Sequence, residues 1–369
     1  MESVKVAVTG SRGFLGSNLL VRLSELKHEV LEIHRETNAE QLSEQLAAAD
    51  IVIHLAGVNR PKETSEFARG NAEFTQVLCG LLSRGAAKPL FFASSTQAAL
   101  DNPYGLSKRA AEEAISQYGK QCGVGTFSAR FPNLFGKWSR PNYNSAVATF
   151  CDALANDRTY TVHDASAALR LMYVDDAVEF IMSSLEPLCG NRELPALSSV
   201  YDTTVGEVIE TLKEFKNASQ SLMVGNVGCG LRRALYSTYV SFLPKEKFSY
   251  QVKLYSDPRG DFVEMLRTPE AGQFSYFTAH PGVTRGGHYH HSKTEKFLVL
   301  SGTASFRFRH LLTNERYETV VWGGTGTIVD TIPGWVHDIT NIGSDTLVVM
   351  LWANETFDRN RPDTIAAEM

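Results

Sequence analysis

Short runs of β-branched and apolar residues alternate with amphipathic stretches over the first half of the chain, up to about residue 185. The apolar runs predict strands within 4–10, 29–34, 50–57 and 89–95. The amphipathic runs between them predict helices within 18–26, 39–48 and 73–85. This alternation is typical of βαβ units, so we predict an α/β domain built on a parallel sheet.

From about Asp257 the pattern changes to closely spaced strands separated by glycine-bearing turns, which favours an antiparallel barrel or sandwich. The residues between, roughly 186–250, are helical and irregular. Pro244 and the lysines of PKEK suggest a surface connection between Leu243 and Ser249. We therefore predict two domains, 1–245 and 246–369, the first with its core in 1–185 and a substrate-side segment in 186–245.

Composition restricts the classes of function. The 369 residues are 43% hydrophobic and 21% charged with a net charge of -5, which fits a soluble protein and argues against nucleic acid as a partner. The 5 cysteines are scattered without a CxxC pair, so a reducing cytoplasm fits best. With no long apolar run and no leader pattern, we expect neither membrane insertion nor secretion.

A glycine-rich turn follows the first predicted strand. Gly10, Gly13 and Gly16 have G-x-x-G-x-x-G spacing, and Phe14 and Leu15 lie within it. Glycines let a backbone turn tightly and approach a pyrophosphate, whose charge a helix N-terminus attracts. The turn therefore predicts a Rossmann-type site for a dinucleotide.

The end of the second predicted strand indicates which dinucleotide is bound. An NAD enzyme has Asp or Glu there, whereas this chain has His34 and Arg35, with Arg12 in the glycine loop. Arginines bind a 2′-phosphate that a carboxylate would repel, so we predict NADPH. The alternative is that the arginines are solvated surface residues.

Tyr104 and Lys108 stand four residues apart at the head of a predicted helix and so share one face. They follow a strand that ends in Ser94, Ser95 and Thr96, and this order resembles the extended short-chain dehydrogenase/reductase family. That chemistry needs a serine hydroxyl on the substrate oxygen, a tyrosine proton donor, and a lysine that lowers the phenol pKa and holds the nicotinamide ribose. Alignment with the family favours Ser95, with Ser94 and Thr96 left open. The alternative to a catalytic role is that Tyr104 only packs in the structure and Lys108 is a solvated charge on the helix.

The resemblance extends through most of residues 1–185 and implies further contacts. On the cofactor side these are Asp50, Leu55, Ala56, Gly57 and Asn71. On the substrate side they are Ser94, Thr96, Arg130, Asn133 and Arg170. Leu171 stands where the sugar-nucleotide members have Asp, and plain structural roles remain open for Asn133 and Arg170.

The stretch from Gly282 to Gly302 matches the first cupin motif at every position, and GTGTIVDTIPGWVHDITN resembles the second. The resemblance implies an all-β cupin (jelly-roll) domain with one divalent metal. The implied ligands are His288, His290, Glu295 and His337. Three imidazoles and a carboxylate suit Zn, Fe, Mn or Ni. We favour zinc because epimerisation needs a Lewis acid rather than a redox centre, and a metal-free cupin is the alternative.

DPRGDFVE, from Asp257 to Glu264, resembles the entry strand of the sugar-nucleotide 3,5-epimerases. The whole chain resembles a family of bifunctional capsular polysaccharide enzymes. That resemblance implies a UDP-linked 2-acetamido-2,6-dideoxy-4-keto-hexose that the cupin epimerises at carbon 3 and the reductase reduces at carbon 4. The implied product is UDP-2-acetamido-2,6-dideoxy-L-talose, for the synthesis of UDP-N-acetyl-L-fucosamine. Candidates for the epimerase base are His291, Lys296 and Tyr289.

Two other interpretations remain open. One is an NADPH-binding sensor or scaffold whose non-catalytic cupin serves dimerisation, although a sensor needs no proton donor. The other keeps the reductase and makes the cupin an oxygenase or an isomerase of free sugars. We also predict a homodimer.

Overall fold

The computed structural model describes residues 3–143, 145–190, 192–360 and 362–369. The chain forms two compact units, one of residues 1–212 and 230–244, the other of residues 213–229 and 245–369. This grouping places 213–229 with the second unit, while the predicted domains 1–245 and 246–369 stay a prediction. Among the described residues, no helix has the length and apolar character to cross a membrane.

The first unit contains the predicted parallel sheet, with strands in the order β2-β1-β3-β4-β5. These strands are β1 (Lys5–Thr9), β2 (Glu29–Ile33), β3 (Ile51–His54), β4 (Leu90–Ser95) and β5 (Thr126–Phe131). Every pairing in this sheet is parallel, so the carboxyl ends of all five strands meet at one edge.

Helices cover both faces of this sheet because alternate strand residues point to opposite faces. Val6 and Val8 pack with α1 and α7, whereas Ala7 packs on the other face with α2, α4 and α5. The helices are α1 (Phe14–Glu25), α2 (Ala39–Ala48), α3 (Ser65–Phe67), α4 (Phe74–Arg84), α5 (Pro103–Cys122), α6 (Ala146–Ala155), α7 (Val174–Cys189), α8 (Val205–Ser221) and α9 (Gly230–Ser241). A π-helical turn, Ala68–Glu73, joins α3 to α4, and 3-10 turns cover Thr96–Ala99 and Lys245–Lys247.

A smaller sheet of three strands has the order β6-β7-β8. Its strands are β6 (Asn133–Phe135), β7 (Ala168–Tyr173) and β8 (Val200–Thr204). Leu171 is 3% exposed in the core, which accounts for an apolar residue at that position.

The second unit consists of two antiparallel sheets, as the closely spaced strands predicted. One has the order β16-β13-β18-β11-β10-β9 and the other β15-β14-β17-β12-β19. The strands are β9 (Leu254–Asp257), β10 (Gly260–Thr268), β11 (Gly272–Ala279), β12 (Thr284–Tyr289), β13 (Glu295–Ser301), β14 (Thr303–His310), β15 (Arg316–Trp322), β16 (Ile328–Asp330), β17 (Trp335–Asn341), β18 (Leu347–Ala353) and β19 (Ile365–Ala366). Their inner faces share one apolar core, which contains Phe277 and Phe297 from the first sheet and Phe306 and Ile339 from the second.

Candidate functional site

The glycine loop lies between β1 and α1, at the edge where the parallel strands end. Gly10 has a φ of +71°, and a Cβ there would lie 2.7 Å from the Ala56 backbone nitrogen. A Cβ on Gly16 would lie 2.2 Å from the Gly10 carbonyl oxygen. Only glycines therefore allow α1 to pack this closely against the loop.

The N-terminus of α1 is open to an anion. The helix begins with a hydrogen bond from the Ser17 N–H to the Gly13 carbonyl, and its first turn has no acidic residue. The first turn of the helix, before this bond, contains the N–H groups of Phe14, Leu15 and Gly16. Such groups, together with the helix dipole, favour a phosphate.

The end of β2 carries the predicted cations and one carboxylate that the prediction overlooked. Nη1 of Arg12 lies 2.6 Å from Oε2 of Glu36, and Nδ1 of His34 lies 3.7 Å from the same oxygen. Arg35 is exposed beside them. The end of β2 therefore has cations suited to a 2′-phosphate, but one of them, Arg12, is already paired with Glu36.

Ser95 and Tyr104 are brought together at the end of β4. Burial raises the pKa of the Tyr104 phenol, and a hydrogen bond with the Ser95 side chain acts in the opposite direction. A Cβ on Gly105 would lie 2.2 Å from the Gln97 carbonyl oxygen, so α5 is packed tightly against the turn that follows Ser95. The two hydroxyl groups can therefore act on one substrate oxygen.

Lys108 is buried one helical turn after Tyr104. Its Nζ donates to the Ala93 carbonyl oxygen at 2.9 Å and lies 4.6 Å from the centre of the Phe92 ring. Burial lowers the pKa of Lys108 to about 8, despite the opposing charge of Glu112. The lysine is thus rigidly held and close to the pH range in which it loses its proton.

Asn71 ties the loop after β3 to α5. Its side chain accepts from the Val58 N–H at 2.7 Å and donates to the Val58 carbonyl at 3.0 Å and to the Ser107 hydroxyl at 2.9 Å. A Cβ on Gly57 would lie 3.0 Å from Oδ1 of Asn71 and 3.3 Å from Nζ of Lys108. Leu55 and Ala56, in the same loop, donate through their N–H groups to the backbone oxygen and the hydroxyl of Thr9. These predicted cofactor residues therefore surround the end of β1.

Glu112 is a further residue that the sequence analysis missed. The Ser94 hydroxyl donates to its carboxylate at 2.5 Å, and the Arg130 guanidinium holds both of its oxygens, the shortest contact being 2.6 Å. Burial favours a raised pKa for Glu112, but the hydrogen bonds from Arg130 and Ser94 outweigh it and lower the pKa. Ser94 and Arg130 are therefore engaged with Glu112, and Ser95 is the serine that faces Tyr104. The sequence did contain an indication of this role, because Glu112 stands four residues after Lys108 and so lies on the same face of the helix.

The structure places Asp50 away from this edge, whereas Thr96 directly follows a strand that ends there. Asp50 precedes β3 and accepts from the Lys5 N–H at 2.7 Å, at the opposite end of the sheet from the glycine loop. Thr96 is exposed in the turn after β4. Asn133 is exposed at the start of β6, and Arg170, on β7, lies 3.8 Å from Asp202.

In the second unit, the four predicted ligands form one cluster. Each offers an atom that lies within 4.8 Å of the others. His288 on β12 is paired with His337 on β17, His290 follows β12, and Glu295 begins β13 in the other sheet. His290, His337 and Glu295 are 1%, 5% and 6% exposed, whereas His288 is half-buried. The cluster thus joins the two sheets and is most open on the His288 side.

Backbone carbonyls set the orientation of two imidazoles. Nδ1 of His290 lies 2.5 Å from the Asp363 carbonyl oxygen, and Nδ1 of His337 lies 3.3 Å from that of Trp335. A carbonyl oxygen only accepts, so Nδ1 carries the proton in each ring and Nε2 keeps its lone pair. Both lone pairs are therefore free for a metal ion.

These residues fit a divalent cation. The buried Nε2 of His337 lies 3.7 Å from Oε2 of Glu295, beyond hydrogen-bond distance, and has no hydrogen-bond partner among the described residues. An orphaned buried nitrogen is costly unless something else binds it. Burial and the neighbouring His337 lower the pKa of His288 to about 4, which also favours the neutral, metal-binding form.

Lys293, which was not among the predicted residues, also contacts the cluster. It is 7% exposed, and its Nζ lies 3.1 Å from Oε1 of Glu295.

The three predicted candidates for the epimerase base differ in their surroundings. Lys296 pairs with Asp330 at 2.5 Å, and both of these side chains are half exposed. Tyr289 and His291 pack edge to face next to the cluster, and His291 is exposed.

Comparisons with known proteins agree with this two-part organisation. The NAD dependent epimerase/dehydratase family matches residues 6–188, and the polysaccharide biosynthesis C-terminal domain matches residues 255–365. UDP-2-acetamido-2,6-beta-L-arabino-hexul-4-ose reductase of Pseudomonas aeruginosa is 53% identical over 368 residues, which is 99% of each chain. The capsular polysaccharide assembling protein CapF of Staphylococcus aureus is 39% identical, with a TM-score of 0.91 over 99% of this chain and 100% of that one. The chain belongs to the CapF family.

Membership of the CapF family confirms the predicted short-chain dehydrogenase/reductase domain followed by an all-β domain, and it implies a nicotinamide cofactor. The structure of UDP-N-acetylglucosamine 4-epimerase from Bacillus cereus shares the fold of part of this chain. It is 20% identical, has a TM-score of 0.55 and covers 68% of this chain. Zinc, the homodimer and the cytoplasmic location stay predictions.

Proposed function

We propose that the chain is a bifunctional sugar-nucleotide enzyme. Its second unit, a metal-binding cupin, epimerises carbon 3 of a UDP-2-acetamido-2,6-dideoxy-4-keto-hexose. Its first unit then reduces the carbon 4 ketone with NADPH to give UDP-2-acetamido-2,6-dideoxy-L-talose, for UDP-N-acetyl-L-fucosamine and capsular polysaccharide synthesis. The observation that carries the proposal is the contact of Ser95 with Tyr104 beside buried Lys108, in a chain 53% identical to a reductase of such a keto sugar.

The reductase residues divide the chemistry between them. NADPH would supply the hydride that carbon 4 accepts. Tyr104 gives its phenolic proton to the ketone oxygen, which Ser95 holds by a hydrogen bond. The ammonium group of Lys108 stabilises the phenolate that remains, and its bond to the Ala93 carbonyl keeps it in place.

The cupin ligands are arranged to hold a Lewis acid for proton exchange at carbon 3. Tyr289 and His291, which pack together beside the cluster, are the groups from which the base that takes and returns the proton is drawn. A divalent cation held by the four ligands would supply a Lewis acid for the negative charge that develops on proton removal beside a ketone. His290 and His337 are held with their Nε2 lone pairs available, and Glu295 keeps Oε2 directed at them. We favour zinc because this step involves no change of oxidation state.

Chemistry also orders the two steps. A proton beside a ketone is acidic because the resulting enolate places its charge on oxygen, and that acidity is lost once carbon 4 is an alcohol. Epimerisation therefore precedes reduction. One chain with both activities can trap a labile keto intermediate by reducing it.

Tyr104→Phe separates the activities. We expect this variant to lose about 10²- to 10⁴-fold in ketone reduction because its general acid is gone. In deuterated water it should still exchange the carbon 3 proton of the keto substrate, as NMR would show, without consuming NADPH. The reciprocal variant, His290→Ala, should stop exchange while retaining hydride transfer to the unepimerised ketone.

Two outcomes would contradict the proposal. Loss of exchange in Tyr104→Phe would mean that one site performs both steps. Wild-type protein that binds NADPH but neither exchanges nor reduces the keto sugar would favour the sensor or scaffold instead.

A further inference from the structure

The C-terminal tail, residues 362–369, lies along the strand that carries His288. Within it, β19 pairs with β12 through Ala366 opposite His288 and Ile365 opposite Tyr289. The Ala367 N–H extends this pairing by donating to the Gly287 carbonyl at 3.0 Å. The tail is therefore part of the sheet beside the metal-ligand cluster.

Asp363, near the start of this tail, is enclosed by the loop between His290 and Glu295. Its carboxylate accepts from the N–H groups of His291, Ser292 and Lys293 at 2.9, 2.8 and 2.9 Å. It also accepts from the Ser292 hydroxyl at 3.1 Å. Three successive N–H groups directed at one carboxylate fix the conformation of the whole loop.

The backbone of Asp363 acts on a ligand directly. Its carbonyl oxygen accepts the Nδ1 proton of His290, and Nε2 of that ring lies 3.4 Å from Oε2 of Glu295. The same loop also positions Lys293, whose Nζ contacts the other oxygen of Glu295. Asp363 thus influences two of the four ligands, one through its carbonyl group and one through the loop.

We propose that Asp363 is a positioning residue of the metal site, and that the affinity of the cluster for a divalent cation depends on its contacts with residues 290–293. Groups that orient metal ligands typically change affinity by about 10- to 100-fold when removed. The inference rests on the proposed function, because it takes the cluster to hold a divalent cation. It adds a residue about 70 positions away in the sequence from the loop that it holds.

The test compares variants of the full chain by titrating Zn²⁺ in competition with a chromophoric chelator. Asp363 has a φ of +33°, which Gly and Asn tolerate. Asp363→Gly keeps the carbonyl group and removes the carboxylate, while Asp363→Asn keeps one acceptor oxygen. Asp358→Asn is the matched control, since Asp358 is an exposed acid that caps the Asn360 N–H.

We expect about 10- to 100-fold weaker Zn²⁺ binding in Asp363→Gly, a smaller loss in Asp363→Asn, and wild-type affinity in the control. In the metal-free protein, ¹⁵N NMR of the imidazoles should show that His290 loses its single Nδ1–H tautomer in Asp363→Gly, because the carbonyl group is retained but is no longer held against the imidazole once the carboxylate contacts are gone. Wild-type affinity in both Asp363 variants overturns the inference. If circular dichroism shows that Asp363→Gly is unfolded, the affinity of Asp363→Asn decides the matter. If the wild-type protein binds no Zn²⁺, the zinc site of the proposed function is contradicted. If the wild type and both Asp363 variants bind Zn²⁺ equally well, only the role of Asp363 is contradicted.

Discussion

The ammonium nitrogen of Lys293 lies 3.1 Å from Oε1 of Glu295, with each side chain only 8% exposed. The other oxygen of the carboxylate faces His290 and His337. Glu295 therefore divides its two oxygens between a fixed cation and the point where the imidazoles converge. Lys293 also supplies the positive charge that this buried carboxylate needs, since the two imidazoles present lone pairs to it.

Lys293→Met is expected to lower the stability of the metal-free protein by roughly 3–5 kcal/mol, because it leaves an uncompensated buried charge. Zinc should then raise the melting temperature more than it does in wild type, since the ion replaces the lost positive charge. The control is Lys296→Met, which breaks a half-exposed pair with Asp330 worth about 0–1 kcal/mol. Equal losses in the two variants, measured by thermal unfolding with and without zinc, would argue against this role.

The neighbouring serines are expected to differ in function. Ser95→Ala should lower kcat/KM for ketone reduction by about 10²- to 10³-fold, because a hydrogen-bond donor to the substrate oxygen is lost. Ser94→Ala removes a donor to Glu112 and should mainly reduce stability. Kinetics and thermal unfolding on both variants distinguish the roles. A Ser94→Ala protein that is fully stable and as impaired as Ser95→Ala would reverse the assignment.

Glu36→Gln is expected to improve the use of NADPH. Glu36 pairs with Arg12 at 2.6 Å, so its carboxylate competes with a 2′-phosphate for that guanidinium. The variant should have a lower KM for NADPH and an unchanged KM for NADH, while Arg35→Ala should raise the KM for NADPH. Equal use of the two cofactors by wild type would contradict the predicted preference.

The pKa of Lys108, lowered by burial to about 8, predicts the pH dependence of reduction. Below that pH the lysine is charged and can stabilise the phenolate of Tyr104, and above it the charge is lost. We therefore expect kcat/KM of the free enzyme to fall as pH rises through about 8. A profile that stays flat well above this pH would show that Lys108 remains protonated.

An apolar row crosses the outer face of the six-stranded sheet and is the surface on which we place the predicted homodimer. Leu254, Tyr276, Met350 and Ile328 lie in this row, 53%, 37%, 37% and 57% exposed. Val263, between Tyr276 and Leu254, is only 6% exposed, so the exposed part of the row runs from Ile328 through Met350 to Tyr276. Exposed apolar side chains of this kind favour association between copies. Met350→Glu should shift the sedimentation mass toward the monomer, whereas Leu312→Glu, at an exposed turn off this face, should not. A monomeric wild type would remove the basis for this prediction.

Local patterns in the sequence predicted much of this structure. The parallel sheet follows from apolar runs at βαβ spacing, and the glycine loop and the Tyr104–Lys108 pair are set by short spacings on single elements. His288, His290, Glu295 and His337 form the expected cluster because motif spacing on paired strands determines where they lie.

The parts that the sequence analysis missed depend on contacts between distant segments or on competition for one partner. Asp363 reaches the metal-site loop across about 70 residues, and no local pattern specifies that distance. The family resemblance favoured Ser95 and left Ser94 open, and the bond that engages Ser94 with Glu112 follows only from the structure. Asp50 lies in a motif beside the cofactor residues, yet it precedes its strand and so lies at the wrong end of the sheet.

The π-helical turn of Ala68–Glu73 determines the phase of Asn71 relative to the helix that follows it. Such a turn contains one residue more than an α-helical turn needs. Deleting Ala72 would remove that extra residue and change the direction in which Asn71 points relative to α4. Asn71 would then point away from Val58 and Ser107, and the loop that carries Gly57 would lose its attachment to α5. The position of the loop after β3 therefore depends on a single extra residue in a helix, which makes this segment intolerant of length changes even where its side chains are replaceable.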